Sequence, residues 1–106
     1  MPYRVVFHPE ASKEFKEALH WYEKELSGLG FRFQESIENQ LNNIVNNPLL
    51  YPKKRGNHRE AIVETFPYLI VYKLLADEKI FFVSAIFHTS RNPKKKYRRV
   101  VPRRSK

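Results

Sequence analysis

Residues 58–88 read HREAIVETFPYLIVYKLLADEKIFFVSAIFH. The β-branched and aromatic residues in this stretch predict three consecutive strands. The first covers His58–Thr65, with Ala61, Ile62 and Val63 at its centre. Pro67 separates it from the second, Tyr68–Leu75. Ala76-Asp77-Glu78-Lys79 forms a tight turn, and the third strand is Ile80–His88. The last two strands are almost continuously apolar, as expected of central strands buried on both faces, or on one face plus an interface. Short connections make the three an antiparallel meander.

Upstream, Tyr3-Arg4-Val5-Val6-Phe7-His8 reads as one more short strand, stopped by Pro9. Pro9 suits the first turn of a helix, where its missing N–H is not needed. Ala11, Phe15, Ala18, Leu19, Tyr22 and Leu26 then recur at three- and four-residue steps, predicting a helix to about Leu26. Ser27-Gly28-Leu29-Gly30 ends it. A second helix fits Phe31–Asn46, with Phe33, Ile37, Leu41, Ile44 and Val45 as its stripe, and Asn46-Asn47-Pro48 stops it. The short connection predicts an antiparallel helical hairpin. Residues 49–57 read as a loop carrying the cations Lys53, Lys54 and Arg55. The order β-α-α-β-β-β predicts an α+β fold, a helical hairpin packed on one face of an antiparallel-meander sheet.

A chain of 106 residues, 42% hydrophobic and 14% aromatic, supports one core without staples. The absence of cysteine removes disulfides, thiolate metal sites and cysteine nucleophiles. No apolar run approaches the roughly 18 residues of a membrane span. MPYRVVFHPE does not look like a signal peptide, so a cytoplasmic setting is expected. The charge is strongly localised. Nine of the 20 lysines and arginines lie in residues 91–106, which hold no acid; the other 11 balance the 11 acidic residues of 1–90, so the net +9 belongs to the C-terminal segment. Such a segment is suited to polyanions or acidic protein surfaces. A single domain over 1–99 with a basic tail over 100–106 is the expected organisation.

Several short patterns occur in order along the chain: Trp21-Tyr22-Glu23, Leu29-Gly30 with Phe33, Pro48 with Tyr51, Arg59, Phe66-Pro67-Tyr68-Leu69-Ile70-Val71-Tyr72, and His88-Thr89-Ser90-Arg91-Asn92-Pro93. With the strand order, the series resembles the RelE/ParE superfamily, the toxins of type II toxin–antitoxin (plasmid stabilisation) pairs, from Tyr3 to about Arg99. The resemblance implies a small growth-inhibiting toxin neutralised by a cognate antitoxin that wraps it. It also implies one of two activities: RelE-like members cut mRNA on the ribosome, whereas ParE-like members poison DNA gyrase by binding.

Metal-free RNA cleavage needs groups that take the 2′-OH proton, stabilise the phosphorane and protonate the leaving oxygen. In RelE-like enzymes the resemblance assigns this to an arginine within the second meander strand and to an arginine followed six residues later by a tyrosine. Arg91 and Tyr97 match that C-terminal pair. The in-strand arginine falls on Leu69, which cannot stabilise a phosphorane. This departure favours the ParE-like branch, with gyrase as target. The alternative is a ribosome-dependent endoribonuclease using Arg59, Arg91 and Tyr97, in which Arg59 replaces the missing group. The plainer reading of Arg91 and Tyr97 is a solvated charge and an aromatic covering a sheet edge.

His88 is expected to be a strand-end residue bonded to a backbone group rather than a general base. No histidine or carboxylate spacing resembles a metal site, and neither metal nor cofactor is expected. Arg91, Lys94, Lys95, Lys96, Tyr97, Arg98 and Arg99 form the expected target- or polyanion-binding surface, with nonspecific nucleic-acid contact as one use. Phe15, Trp21, Tyr22, Phe31 and Phe33 are most simply core. Trp21 and Tyr22 are also the candidates for an antitoxin contact, since exposed tryptophans often dominate interfaces.

Overall fold

The computed structural model describes residues 3–90. Its elements are β1 (Arg4–Phe7), α1 (Pro9–Glu25), α2 (Leu29–Asn46), β2 (Lys53–Arg55), β3 (His58–Ile62), β4 (Tyr68–Leu75) and β5 (Ile80–His88). Both helices lie on a five-stranded sheet ordered β1-β5-β4-β3-β2. The architecture is the expected α+β layer, with two differences. β1 runs parallel to β5, with Val5 opposite Phe81 and Phe7 opposite Val83, so the sheet is mixed. The predicted loop contains β2, whose Lys53 pairs with Arg59 and Arg55 with His58. These cations form a strand because β3 offers an open row of backbone groups; their exposed charge then blunts the sheet edge against further pairing.

β5 lies between β1 and β4, which is why it is the most apolar element; all but His88 of its nine residues are buried. Its register with β4 slips by one residue. Val71 faces Ala85 and Tyr72 faces Val83, leaving Ser84 as the extra residue of a bulge. Ser84 is fully buried, and its hydroxyl donates to the Val71 carbonyl at 3.1 Å. The bulge resets the alternation, so Phe81, Val83 and Ile86 all face the helices.

α1 begins at Pro9 as expected, with His8 as cap: the Glu10 N–H donates to His8 Nδ1 at 3.0 Å. The turn between the helices differs from the expected one. α2 starts at Leu29, and Gly28 is its N-cap in the left-handed region, φ +90°. Glu23 closes the hairpin by accepting the N–H groups of Gly28 (3.0 Å) and Gly30 (2.9 Å), two of the otherwise orphan donors at a helix start. Gly30 is therefore a packing residue rather than a helix stop. A Cβ there would sit 2.9 Å from the Leu19 carbonyl oxygen, so glycine lets the two helices approach.

The core between helices and sheet is rich in rings. Phe33 lies 5.2 Å, centroid to centroid, from each of Tyr22, Phe66 and Tyr68, and 5.8 Å from Phe15. Tyr72 is fully buried and donates its hydroxyl to the Pro48 carbonyl at 2.9 Å; burial pushes its pKa up to about 12. Trp21 (57% exposed) and Phe31 (62%) are not core residues. Trp21 sits one residue from Tyr22 and Phe31 two residues from Phe33, which rotates them about 100° and about 200° from those buried positions.

His58 is buried beside Lys73, and its pKa lies below the ordinary 6.5, chiefly through burial and secondarily through the Lys73 charge. The Arg55 backbone and the Glu60 carboxylate act in the opposite sense. The folded state thus binds a proton less readily than the unfolded one. The histidine's stabilising contribution is complete above about pH 6.5 and is lost as pH falls through the lowered folded value. Thermal unfolding followed from pH 7 to 5 is expected to fall more steeply for the native chain than for His58→Gln. Equal slopes would mean that His58 is not the responsible group.

Candidate functional site

Cross-strand partners share a face of the sheet, so the register assigns each candidate residue to one side or the other. The face toward the helices carries Tyr68, Ile70, Tyr72 and Leu74 of β4. The opposite face carries Leu69, Val71 and Lys73. Leu69 stands between Ile62 on β3 and Phe87 on β5, and Val71 between Glu60 and Ala85. Leu69, Val71, Ala85 and Phe87 form a second apolar cluster separate from the main core. Leu69 is thus part of a hydrocarbon patch. Ile62, 72% exposed, stands at its β3 side.

Arg59 lies on the other side. It pairs with Tyr72, facing the helices, and its guanidinium Nη1 donates to the Tyr51 carbonyl. It braces the loop before β2 and does not stand beside Leu69. Arg59 and Leu69 thus stand on opposite faces of the sheet, because alternate positions of a strand project to opposite faces. Sequence reasoning lacked the register that decides it.

The C-terminal end of β5 leads toward the remaining candidates. His88 is a strand-end residue bonded to backbone, as expected: its Nδ1 accepts the Ser90 N–H at 3.1 Å and lies 2.8 Å from the Ser90 hydroxyl. Its ring packs edge-on to Tyr68, centroids 5.0 Å apart. The Thr89 N–H donates to the Pro67 carbonyl, tying this end of β5 to the start of β4. Arg91, Lys94, Lys95, Lys96, Tyr97, Arg98 and Arg99 follow directly, and all seven lie outside the described residues.

Trp21 projects from α1 beside a groove of about 360 Å³ whose walls include Glu14, Glu17, Tyr68, Ile86 and His88. β1 ends at Phe7, with the His8 N–H reaching the Val83 carbonyl, so β5 runs on past its parallel neighbour. There Glu14 supplies the missing acceptor, its Oε1 taking the Ile86 N–H at 3.1 Å. Sequence reasoning missed this role, since Glu14 reads as one more acid near the start of α1. Tyr22, the other antitoxin candidate, is half-buried and packs among Phe33, Phe66 and Tyr68; Trp21 rests edge-on against it at 5.1 Å. Burial raises the Tyr22 pKa. A larger groove of about 490 Å³ lies at the other side of Tyr22, bounded by Leu29, Arg32, Glu35 and the Thr65-Phe66-Pro67 turn. Thr65 holds φ at +80°, a conformation a β-branched residue rarely adopts. Among the described residues no helix is long and apolar enough to cross a membrane.

The fold is shared with solved toxins. The structure titled as the chromosomal ParDE toxin–antitoxin system from P. aeruginosa superposes with a TM-score of 0.71 at 11% identity, over 83% of this chain and 97% of that one. A mutant of the E. coli toxin RelE in the free state gives 0.67 at 19% identity, over 92% of each chain. The intact E. coli RelBE toxin–antitoxin complex gives 0.64 at 21% identity, over 84% of this chain and 99% of that one. No curated protein matches the sequence. At these identities the structural likeness concerns the fold alone. The sequence, however, matches over residues 5–93 the family described as the ParE toxin of the type II toxin–antitoxin system parDE. The chain therefore belongs to the ParE toxin family of type II toxin–antitoxin systems.

Proposed function

We propose that this ParE-family toxin arrests growth by binding DNA gyrase in the cytoplasm rather than by cutting RNA. The observation that carries the reading is Leu69. It occupies the nuclease arginine's place within an apolar cluster, and Arg59 is committed to the Tyr51 carbonyl on the far side of the sheet. A hydrocarbon patch cannot offset the charge that develops on a phosphorane, whereas it suits protein contact. The basic run Arg91, Lys94, Lys95, Lys96, Arg98 and Arg99, with Tyr97, supplies the target-binding surface and steers it toward acidic or polyanionic partners. Nonspecific contact with nucleic acid through the same run adds a salt-sensitive component.

The cognate antitoxin docks against Trp21. A tryptophan more than half exposed at the rim of a groove, backed by Tyr22, has the features of an interface anchor.

Pulse labelling after induced expression tests the target. DNA synthesis is expected to stop within minutes while protein synthesis continues, and the purified toxin is expected to block supercoiling by gyrase. Protein synthesis stopping first, with transcripts cut inside codons, would overturn the gyrase reading in favour of ribosome-dependent cleavage through Arg91 and Tyr97.

A further inference from the structure

The loop after α2 holds two leucines in water. Leu49 (68% exposed) and Leu50 (71%) are the one adjacent pair among the exposed large apolar side chains of the described residues. Isolated exposed leucines are ordinary, but this pair stands on a turn fixed from both ends. The fully buried Tyr72 donates its hydroxyl to the Pro48 carbonyl at 2.9 Å, and a pKa of about 12 keeps it a donor. The Leu50 N–H meets the Asn47 carbonyl at 3.1 Å, and Arg59 Nη1 holds the Tyr51 carbonyl. Tyr51 itself packs on the core. A slack loop would fold its leucines down beside Tyr51; this one is braced at Pro48 and Tyr51 with both leucines left outside. The charge around the pair is of one sign. Residues 39–59 contain no aspartate or glutamate, and three residues beyond Leu50 begin the cations Lys53, Lys54 and Arg55, all exposed.

We propose that this loop docks on an anionic lipid surface, with Leu49 and Leu50 entering the apolar boundary and Lys53 and Lys54 lying among the headgroups. Apolar side chains beside lysines and arginines on an exposed element are the pattern that holds a protein in a bilayer interface. Other occupants fit less well. The phosphates of a nucleic acid would take the lysines and leave the leucines in water. A protein partner would have to supply a notch for a pair that projects, and leucine is under-represented among the residues that dominate protein interfaces. A bilayer needs no matching notch. It needs projecting apolar side chains, cations beside them and no carboxylate in the contacting segment, and residues 39–59 supply all three. The bracing also has a purpose here: a preset turn loses little conformational freedom when it inserts. Binding through so small an apolar area is weak and reversible. The toxin then divides between the bilayer surface and its target, and the lipid contact does not depend on which target that is.

Flotation of the full chain with vesicles tests this. Phosphatidylcholine vesicles containing about one-quarter phosphatidylglycerol are expected to carry the native protein, and pure phosphatidylcholine vesicles much less of it. Leu49→Ser with Leu50→Ser keeps the net charge at +9, yet is expected to weaken binding to the anionic vesicles at least about tenfold. Lys53→Ala with Lys54→Ala is expected to weaken it about thirtyfold. All four side chains are exposed, so both variants are expected to fold, with near-UV dichroism as the check. Equal vesicle affinity for the native chain and either variant would overturn the proposal, because cations elsewhere would then be sufficient. So would a native protein that ignores anionic vesicles; loss of toxicity in the serine variant beside that result would make the leucines a protein contact instead. Vesicle binding is read without gyrase or antitoxin, so a failed target assignment leaves this test intact.

Discussion

Phe33→Ala is expected to lower the unfolding free energy by about 3–5 kcal/mol, the usual cost of deleting a fully buried ring. Phe33 has no exposed surface and touches four rings drawn from both layers: Phe15 and Tyr22 of α1, Phe66 of the β3–β4 turn and Tyr68 of β4. No single neighbour can relax into the space, since each is fixed by its own element. With total stabilities of about 5–15 kcal/mol typical for such domains, the variant is expected to lose a large share of the margin. Chemical denaturation checks this, with Phe33→Leu as comparison, expected to cost less because it leaves a smaller cavity. A loss below about 1 kcal/mol for alanine would mean the box collapses freely and does not hold the layers together. The same box backs Tyr22, on which Trp21 rests, so the substitution is also expected to weaken antitoxin protection in cells.

The element order was legible because prolines punctuate it. Pro9, Pro48 and Pro67 each stand where an element begins or ends, and the stripe of Phe33, Ile37 and Ile44 needed only helical periodicity. What stayed hidden depends on partners distant in the chain. Nothing in Arg4-Val5-Val6-Phe7 says that it will run parallel to β5. Lys53-Lys54-Arg55 has no strand preference of its own and becomes β2 only because β3 presents an unpaired edge. Gly30 looked like punctuation, since a glycine after Ser27-Gly28-Leu29 reads as a turn; its real constraint is the Leu19 carbonyl of the neighbouring helix.

The site was legible to the same extent. The departure at Leu69 could be noticed from the sequence, but its meaning depended on register. One residue's difference in parity puts Arg59 behind the sheet and Leu69 on its other side. The Ser84 bulge adds a second slip: without it, strict alternation from Phe81 would have turned Ile86 away from the helices and Ala85 toward them. Trp21 illustrates a different limit. Periodicity says which residues line the buried stripe, but a residue at its edge is sorted only by the neighbouring layers.

Arg91→Ala combined with Lys95→Ala is expected to leave stability unchanged and to relieve growth arrest. Charged groups fully desolvated at the centre of an interface cost about 2 kcal/mol or more when truncated, and rim charges less. Two such losses predict target binding weaker by about 30- to 1,000-fold, at 1.4 kcal/mol per factor of ten. A fall in net charge alone would also slow association, so the informative control removes the same charge elsewhere. Lys53→Ala with Lys54→Ala, on the exposed β2 edge, likewise takes the chain from +9 to +7. If the C-terminal pair restores colony formation and the β2 pair does not, the effect belongs to a contact surface at the end of β5. If both restore it equally, steering by overall charge is sufficient and the surface assignment falls. If the Arg91 and Lys95 variant keeps full toxicity, the basic segment is not part of the target contact, and the apolar face around Leu69 and Ile62 becomes the surface to test.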